Sequence, residues 1–178
     1  MTAGALAPTL ARLAPWLLLA GVVIAADQAT KSQVVAVLGG PGAPASVPVT
    51  GYFNLVLAYN RGAAFSFLNG AGGWPSQLFT VVALGASAFI VWLLARQPAA
   101  PRFAAALGLI LGGALGNALD RMRLGHVVDF LDFHWGWLDL LFAGGHFPAF
   151  NVADSAITCG AALLILDELL RALAARRA

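Results

Sequence analysis

Long apolar stretches alternate with short polar segments along this 178-residue chain. A helix that crosses the hydrocarbon core of a bilayer needs about 20 mostly apolar residues. Four stretches meet that length and predict transmembrane helices over about residues 14–33, 75–95, 103–121 and 149–169. The pattern therefore predicts an all-α polytopic membrane protein, with residues 1–178 forming a single membrane domain.

A different pattern lies between the first two predicted helices. Residues 47–67 are rich in Val, Tyr, Phe and Leu, with Gly and Pro at the edges, as is typical of strands. In a strand, Phe53, Leu55, Leu57 and Tyr59 would lie on one face, and Asn54, Val56, Ala58 and Asn60 on the other. We expect a small β-sheet over about residues 44–70 that rests on the membrane surface, preceded by a flexible loop over residues 39–48.

Composition supports the membrane assignment. Hydrophobic residues make up 60% of the chain and charged residues 10%, whereas a soluble domain carries about 25% charged residues. A net charge of +2 is too small to indicate binding to nucleic acid. The single cysteine, Cys159, excludes an intramolecular disulfide and a Cys-rich metal site, and we expect its thiol to be buried and unreactive.

The distribution of arginines predicts the orientation in the membrane. Basic residues flanking short loops favour the cytoplasmic side. The arginines at one set of helix ends are Arg12, Arg96, Arg102, Arg171, Arg176 and Arg177. We therefore expect both termini in the cytoplasm and residues 32–74 and 122–148 outside it. Residues 13–26 also resemble a cleavable signal peptide, but the spans that follow favour retention as the first helix.

Asp154 and Asp129 are the carboxylates that the apolar pattern does not explain. Asp154 lies about 5 residues into the fourth predicted helix, roughly 7–8 Å deep at 1.5 Å per residue. A carboxylate at that depth is costly and usually marks a functional site. Two carboxyls in an apolar setting can share one proton and activate water. Asp132 and Asp139 are alternatives to Asp129, although both are expected at the surface of the outward loop.

Further polar residues lie at the same ends of the predicted helices. Asp27 and Lys31 are four residues apart and can form an ion pair, either as a local salt bridge or at a site. Asn117, Asp120 and Arg121 share one side of the third helix, which a helix end meeting water would also explain. Asn151 shares a helix face with Asp154. Asp167 and Glu168 are expected to be interfacial charges at the cytoplasmic end.

The sequence lacks the motifs of other hydrolytic mechanisms. His126, His134 and His146 are scattered in the sequence, and no His-Glu-x-x-His helix is present to bind a catalytic zinc ion. No Gly-x-Ser-x-Gly turn presents a serine nucleophile. The run Gly112-Gly113-Ala114-Leu115-Gly116 instead predicts close packing between helices.

Five short segments, taken in order, resemble the lipoprotein signal peptidases, also called signal peptidase II. They are Asp27-Gln28-Ala29-Thr30-Lys31; Asn54 with Asn60-Arg61-Gly62-Ala63-Ala64-Phe65; Gly112-Gly113-Ala114-Leu115-Gly116-Asn117-Ala118-Leu119-Asp120-Arg121; Val127-Val128-Asp129-Phe130; and Phe150-Asn151-Val152-Ala153-Asp154. Each is weak evidence alone, but together they span most of the chain.

The resemblance implies a bacterial inner-membrane aspartic endopeptidase with four helices and an extracytoplasmic β-cradle. Its substrates would be prolipoproteins cut just before a diacylglyceryl-modified cysteine, with no metal or organic cofactor. By motif position, Asp129 and Asp154 correspond to the catalytic pair. The residues expected to bind substrate or support that pair are Asp27, Lys31, Asn60, Gly62, Asn117, Asp120, Arg121 and Asn151. Residues 135–147 are longer than is usual in the family.

Two other functions remain open from the residues alone. Asp27, Asp120 and Asp154 could line the path of a small proton- or cation-linked transporter, although the inward halves of the helices are almost bare of polar residues. A structural scaffold leaves Asp154 unexplained. The expected partners are lipidated prolipoproteins and membrane lipid, without nucleic acid, and the expected state is a monomer.

Overall fold

A computed structural model describes residues 3–62, 74–96 and 100–176 of the chain. Four helices carry most of the fold: α1 (Ala3–Leu38), α2 (Trp74–Arg96), α3 (Pro101–Leu124) and α4 (Val152–Ala175). Three strands, β1 (Ser46–Thr50), β2 (Phe53–Asn60) and β3 (Val127–Phe133), form one sheet. Two short 3-10 turns, Gly136–Leu140 and Ala143–Gly145, precede α4. The part of the predicted sheet over residues 63–70 lies outside the described residues.

Helix α3 is the centre of the bundle and contacts the other three helices. It begins at Pro101, whose fixed φ suits a first helical position. It ends at Gly125, which adopts φ 77° and donates its N–H to the Arg121 carbonyl. The buried apolar core of the bundle joins α3 to α1 and α2 through Leu13, Ala20, Ile90, Leu94, Ala104, Leu107 and Leu111.

The glycine run of α3 packs against two helices at once, which confirms the predicted close packing. A Cβ at Gly112 would lie 2.8 Å from the Ala20 carbonyl oxygen of α1. A Cβ at Gly113 would collide with the Ala153 carbonyl oxygen of α4 and lie 2.7 Å from Ile157 Cγ1. The absence of side chains at these two positions lets α1 and α4 approach α3 closely.

The sheet is antiparallel, with β2 in the middle. Strand β3 differs from the prediction of an outward loop over this segment. Its sequence, Val-Val-Asp-Phe-Leu-Asp-Phe, is buried over its first four residues and so lacks a clear polar–apolar alternation. Phe130 of β3 packs on Val34 and Leu38 of α1. Burial of these two residues accounts for the extension of α1 to Leu38, beyond the predicted end at 33.

Three helical segments among the described residues are long and apolar enough to cross a membrane: Ala11–Leu38, Trp74–Arg96 and Pro101–Leu124. Many apolar side chains of α2 face outward, including Val81 at 67% exposure and Phe89 at 58%. Helix α4 is long enough but carries Asp154, Asp167, Glu168 and Arg171. The protein is thus mostly helical, with three candidate membrane helices and a small antiparallel sheet.

Asp167 is not the interfacial charge that was expected. Only 3% of the residue is exposed, because α4 packs against α3 at this level. Arg171 Nη2 lies 2.8 Å from its Oδ2 and Arg102 Nε lies 3.4 Å from its Oδ1. The carboxylate is therefore neutralised within the protein rather than by water.

Replacing Gly113 with alanine should destabilise the bundle, because the added methyl group must displace the backbone of α4. Overpacking of this kind costs about 1–3 kcal/mol. Thermal denaturation in detergent measures the effect. Gly85→Ala in α2 is the matched control, since nothing lies within 4 Å of the added Cβ. An equal loss of stability in both variants would contradict close packing at Gly113.

Candidate active site

A buried polar layer separates the apolar core of the bundle from the sheet. It contains Asp27, Lys31, Asn117, Asp120, Asp129, Asn151 and Asp154, and all of these except the half-buried Asp154 are no more than 5% exposed. Polar groups at this depth require partners inside the protein. The reading of Asn117 and Asp120 as a helix end meeting water is therefore wrong.

Lys31 lies at the centre of the ionic part of the polar layer. Its Nζ lies 2.8 Å from Asp27 Oδ2 and 2.8 Å from Asp120 Oδ2. It also donates a hydrogen bond to Asn117 Oδ1 at 3.0 Å. The expected Asp27–Lys31 ion pair is confirmed, and Asp120 from α3 joins it.

Each of the two carboxylates also accepts a hydrogen bond from a backbone N–H. Asp27 Oδ1 accepts the N–H of Ala153 at 2.9 Å, in the first turn of α4. Asp120 Oδ2 accepts the N–H of Val128 in β3 at 3.2 Å. The Asp27–Lys31–Asp120 cluster thus holds both segments that carry the two candidate catalytic aspartates.

Gln28 belongs to the same layer and was not singled out from the sequence. Its Nε2 donates to Asp120 Oδ1 at 2.8 Å. A glutamine next to Asp27 gives no separate signal, because adjacent residues on a helix point in different directions.

Asp129 is held by two amide side chains. Asn151 Nδ2 donates to its Oδ1 at 2.7 Å, and Asn60 Nδ2 donates to its Oδ2 at 3.1 Å. Asn60 lies on β2, diagonally across the sheet from Asp129. Both oxygens of this 3%-exposed carboxyl group therefore have a neutral donor.

Asp154 is the third residue of α4, a shallower position than the sequence suggested, because Asn151 caps the helix. Asn151 Oδ1 accepts the N–H of Asp154 at 2.9 Å. Asp154 Oδ1 accepts a hydrogen bond from Asn117 Nδ2 at 2.7 Å. Asn151 Nδ2 also donates to Asn117 Oδ1 at 3.1 Å. A chain of two amides, Asn151 and Asn117, thereby connects the carboxyl groups of Asp129 and Asp154.

The surroundings of Asp129 favour its protonated form. Burial, and next the negative charge of Asp154, raise the pKa of Asp129 to about 6. The hydrogen bonds from Asn60 and Asn151 and the charge of Lys31 act in the opposite direction but do not cancel this effect. A carboxyl group whose pKa lies near 6, beside a second carboxyl group, can serve acid–base chemistry.

Gly62 and Arg121 border the polar layer. Gly62 donates its N–H to Asn60 Oδ1 at 2.9 Å and adopts φ 95°, and a Cβ there would lie 2.8 Å from the Phe79 ring. Arg121 places its guanidinium 5.5 Å from the centre of that ring, and its Nε is buried without a hydrogen-bond partner among the described residues. Residues 63–65 of the same sequence segment lie outside the described residues.

A largely apolar groove of about 530 Å³ opens beside Asp154. Phe147 and Phe150 form one wall, and Thr158 and Cys159 of α4 form the other. The expectation of a buried Cys159 is wrong, because the residue is exposed where it lines this groove. The groove can accommodate an apolar chain next to one of the two carboxyl groups.

Two expectations about the loop region are also wrong. Asp132 is not a surface residue, since it is 6% exposed under the end of the sheet, whereas Asp139 is exposed as expected. His134 and His146 are not scattered, because the chain turns back between them and their rings lie 4.8 Å apart. Only His126 lies away from this cluster, against Tyr59.

The sequence of this chain is similar to those of known proteins. The family described as Signal peptidase (SPase) II matches residues 19–170. A lipoprotein signal peptidase from Ralstonia nicotianae is 56% identical over 157 residues, which cover 88% of this chain and 85% of that protein. A lipoprotein signal peptidase from Paraburkholderia phymatum is 53% identical over 165 residues, covering 92% and 93%.

A solved structure agrees at the level of the fold. It is a bacterial membrane enzyme determined by the in meso method at 1.9 Å resolution, with a TM-score of 0.70 and 30% identity. The likeness covers 88% of this chain and 94% of that one. With its sequence and its fold both matched over most of their length, this chain belongs to the signal peptidase II family.

Proposed function

We propose that this protein is an aspartic endopeptidase that removes the signal peptide from diacylglyceryl-modified prolipoproteins, just before the lipidated cysteine, with Asp129 and Asp154 as its catalytic pair. The observation that carries the proposal is the amide chain through Asn151 and Asn117 that links the two carboxyl groups. It supports a shared proton at the edge of a groove in which Asp154 is accessible.

The pair acts as one titrating unit that holds a single proton. The ionised carboxylate takes a proton from a water molecule as the oxygen attacks the scissile carbonyl carbon. The protonated carboxyl donates a hydrogen bond to the carbonyl oxygen, on which negative charge develops. Collapse of the tetrahedral intermediate breaks the C–N bond, and a proton from the pair goes to the leaving nitrogen. One water molecule is consumed, and the pair ends with one proton.

The other polar residues position this pair. Asn117 donates to Asp154, and Asn151 donates to Asp129 and to Asn117, so the two amides set the relative orientation of the pair. Asn60 fixes the second oxygen of Asp129, and Gly62 in turn holds Asn60. Asp27, Lys31 and Asp120 hold the backbones of β3 and α4. Arg121, whose Nε has no hydrogen-bond partner among the described residues, would supply a guanidinium donor at the border of the site.

We propose that α4 is a fourth membrane span, with both termini in the cytoplasm and the polar layer at the extracytoplasmic end. The charges of α4 do not oppose this arrangement. Arg102 and Arg171 neutralise Asp167, and Asp154 belongs to the polar layer. Arg96 at the end of α2 and Arg102 at the start of α3 lie at the end opposite the sheet, as the positive-inside rule requires.

The groove suits a substrate that stays anchored in lipid. Its apolar walls lie beside Asp154, so the acyl chains or the apolar signal segment can remain in a non-aqueous environment while the peptide bond reaches the pair. A transporter is less consistent with the fold, because the apolar core formed by Leu13, Leu107, Leu111 and their neighbours closes the bundle below the polar layer.

Asp129→Asn and Asp154→Asn should each abolish cleavage. Either amide keeps the shape of the side chain but removes the shared proton or the base, a loss on the order of 10²–10⁴-fold for each group. The assay follows release of the signal peptide from a diacylglyceryl-modified precursor by the purified protein in detergent. Thermal denaturation establishes that the variants stay folded.

Asp139→Asn is the matched control, since Asp139 is an exposed carboxylate in the neighbouring loop. Its amide can still accept the N–H of Gly144. It should leave the rate of cleavage unchanged. Normal processing by folded Asp129→Asn or Asp154→Asn would exclude the proposed pair.

The pH dependence of kcat/KM should report the proton on Asp129. Because burial raises its pKa to about 6, the free enzyme loses that proton as pH rises through 6, and kcat/KM should then fall about tenfold per pH unit. Asn60→Ala removes a hydrogen bond that favours the ionised form, so the pKa rises and the decline moves to higher pH.

Asn54→Ala is the control for this measurement. Asn54 lies on the same strand but donates to Asp132 instead of Asp129. The Asn54→Ala variant should leave unchanged the pH at which kcat/KM begins to fall. A uniform loss of kcat/KM for Asn60→Ala at every pH, with no displacement of the decline, would argue that Asn60 has only a structural role.

A precursor without the diacylglyceryl group should be a poor substrate, because it lacks the apolar chains that the groove and the surrounding lipid accommodate. Competition between lipidated and unlipidated precursors in one reaction measures the ratio of kcat/KM. Equal cleavage of the two precursors would count against the substrate class while leaving the catalytic pair in place.

A further inference from the structure

The segment between β3 and α4 is a loop whose two ends are held together. His134 and His146 pair with each other as an isolated antiparallel bridge. The N–H of Trp135 donates to the Gly145 carbonyl at 3.0 Å, and the N–H of Phe147 donates to the Phe133 carbonyl at 2.8 Å. The family resemblance does not account for this loop, which is longer than is usual in the family.

Three potential metal ligands converge where the ends of the loop meet. Asp132, His134 and His146 each contribute one ligand atom, and these atoms all lie within 4.8 Å of one another. His146 Nδ1 lies 2.8 Å from Asp132 Oδ1 and 3.0 Å from Asp132 Oδ2. Asn54 Nδ2 donates to Asp132 Oδ2 at 2.9 Å and orients the carboxylate from the neighbouring strand.

The burial of the Asp132 carboxylate also indicates a site for a cation. The residue is 6% exposed. Among residues 3–62, 74–96 and 100–176, no lysine or arginine forms a salt bridge with it, in contrast to Asp27, Asp120 and Asp167. A buried carboxylate is costly without a cation beside it. Its described polar contacts are Asn54 and His146, so a cation bound beside them would compensate its charge.

We propose that Asp132, His134 and His146 bind a divalent zinc-type ion at the base of the loop. Two imidazole nitrogens and one carboxylate oxygen form a donor set that suits zinc. Zn–N and Zn–O bonds of about 2.0–2.2 Å bring ligand atoms to about 3.3 Å from one another. The ligand atoms, which lie within 4.8 Å of one another, would have to move closer together, and the 47%-exposed side chain of His146 has room to do so.

Binding replaces a proton by the metal ion. The hydrogen that His146 and Asp132 share is released to solvent as the ion takes its position, and water completes the coordination on the exposed side. Asp132 and Asp129 are three residues apart on β3, so their side chains point to opposite faces of the strand. The ion would therefore be structural and would not take part in peptide hydrolysis.

The proposed site has a consequence for the groove. His146 directly precedes the segment that contains Phe147 and Phe150, which form one wall beside Asp154. An ion that joins β3 to the end of the loop would fix where this wall begins. The site therefore couples the order of the loop to the shape of the groove.

The test uses the untagged, full-length protein in detergent after treatment with a chelator. Equilibrium dialysis against Zn²⁺, with the metal measured by mass spectrometry, should give one ion per chain, and zinc should raise the denaturation temperature. His134→Gln and His146→Gln should bind zinc about 10–100-fold more weakly, the scale expected for loss of a metal-site interaction. His126→Gln, outside the cluster, should bind zinc as the wild type does.

Cobalt provides a readout that needs no substitution. Co²⁺ added to the wild-type protein should give the visible absorption of a four-coordinate site, and Zn²⁺ should displace it. Absence of both zinc retention and this absorption would overturn the proposal. Equal loss of zinc in His126→Gln and His146→Gln, or full retention in His146→Gln, would overturn it as well.

Discussion

Lys31 forms salt bridges with two carboxylates that the fold buries between α1 and α3. The arrangement of the site depends on that ionic cluster. Its ammonium lies 2.8 Å from an oxygen of Asp27 and 2.8 Å from an oxygen of Asp120. Charges removed from water are tolerated only when such pairing and further hydrogen bonds compensate for lost hydration. Because each carboxylate also accepts a backbone N–H, the same cluster holds the start of α4 and β3.

The two carboxyl groups proposed to be catalytic have a different kind of partner. Asp129 and Asp154 accept hydrogen bonds from the neutral amides of Asn60, Asn117 and Asn151, while Lys31 reaches Asn117 rather than either of them. An amide orients a carboxylate without cancelling its charge. The pKa of Asp129 therefore stays raised to about 6 instead of being held down by a salt bridge. Within the polar layer, the ionic cluster thus holds the backbone, whereas the two amide-bound carboxyl groups are proposed to hold a proton.

How far the sequence predicts this site depends on how local each contact is. The Asp27–Lys31 pair follows from i,i+4 spacing, and the packing role of Gly112 and Gly113 follows from their place in an apolar helix. Asp129 and Asp154 were identified because a carboxylate beside an apolar stretch is costly, and the family resemblance paired them. The approach of their side chains through Asn151 and Asn117 is a tertiary contact that spacing along the chain does not encode.

Strand β3 and its surroundings show where sequence reasoning failed. A strand buried at its start has no period-two pattern, so the sequence of residues 127–133 does not predict a strand. The burial of Asp132 and the meeting of His134 with His146 both depend on that strand and on the closure of the loop behind it. Asp167 was misread for a similar reason, because its partner Arg102 lies on another helix.

The order of layers along the bundle connects this architecture to the chemistry. The apolar core excludes water from the middle of the bundle, the polar layer lies directly above it, and the sheet covers the layer on one side. Asp154 is therefore accessible from the groove, by which the proposed substrate would enter, whereas Asp129 is enclosed by Asn60 and Asn151. This asymmetry gives two chemically identical carboxyl groups unequal environments, and an unequal pair is what one-proton acid–base catalysis requires.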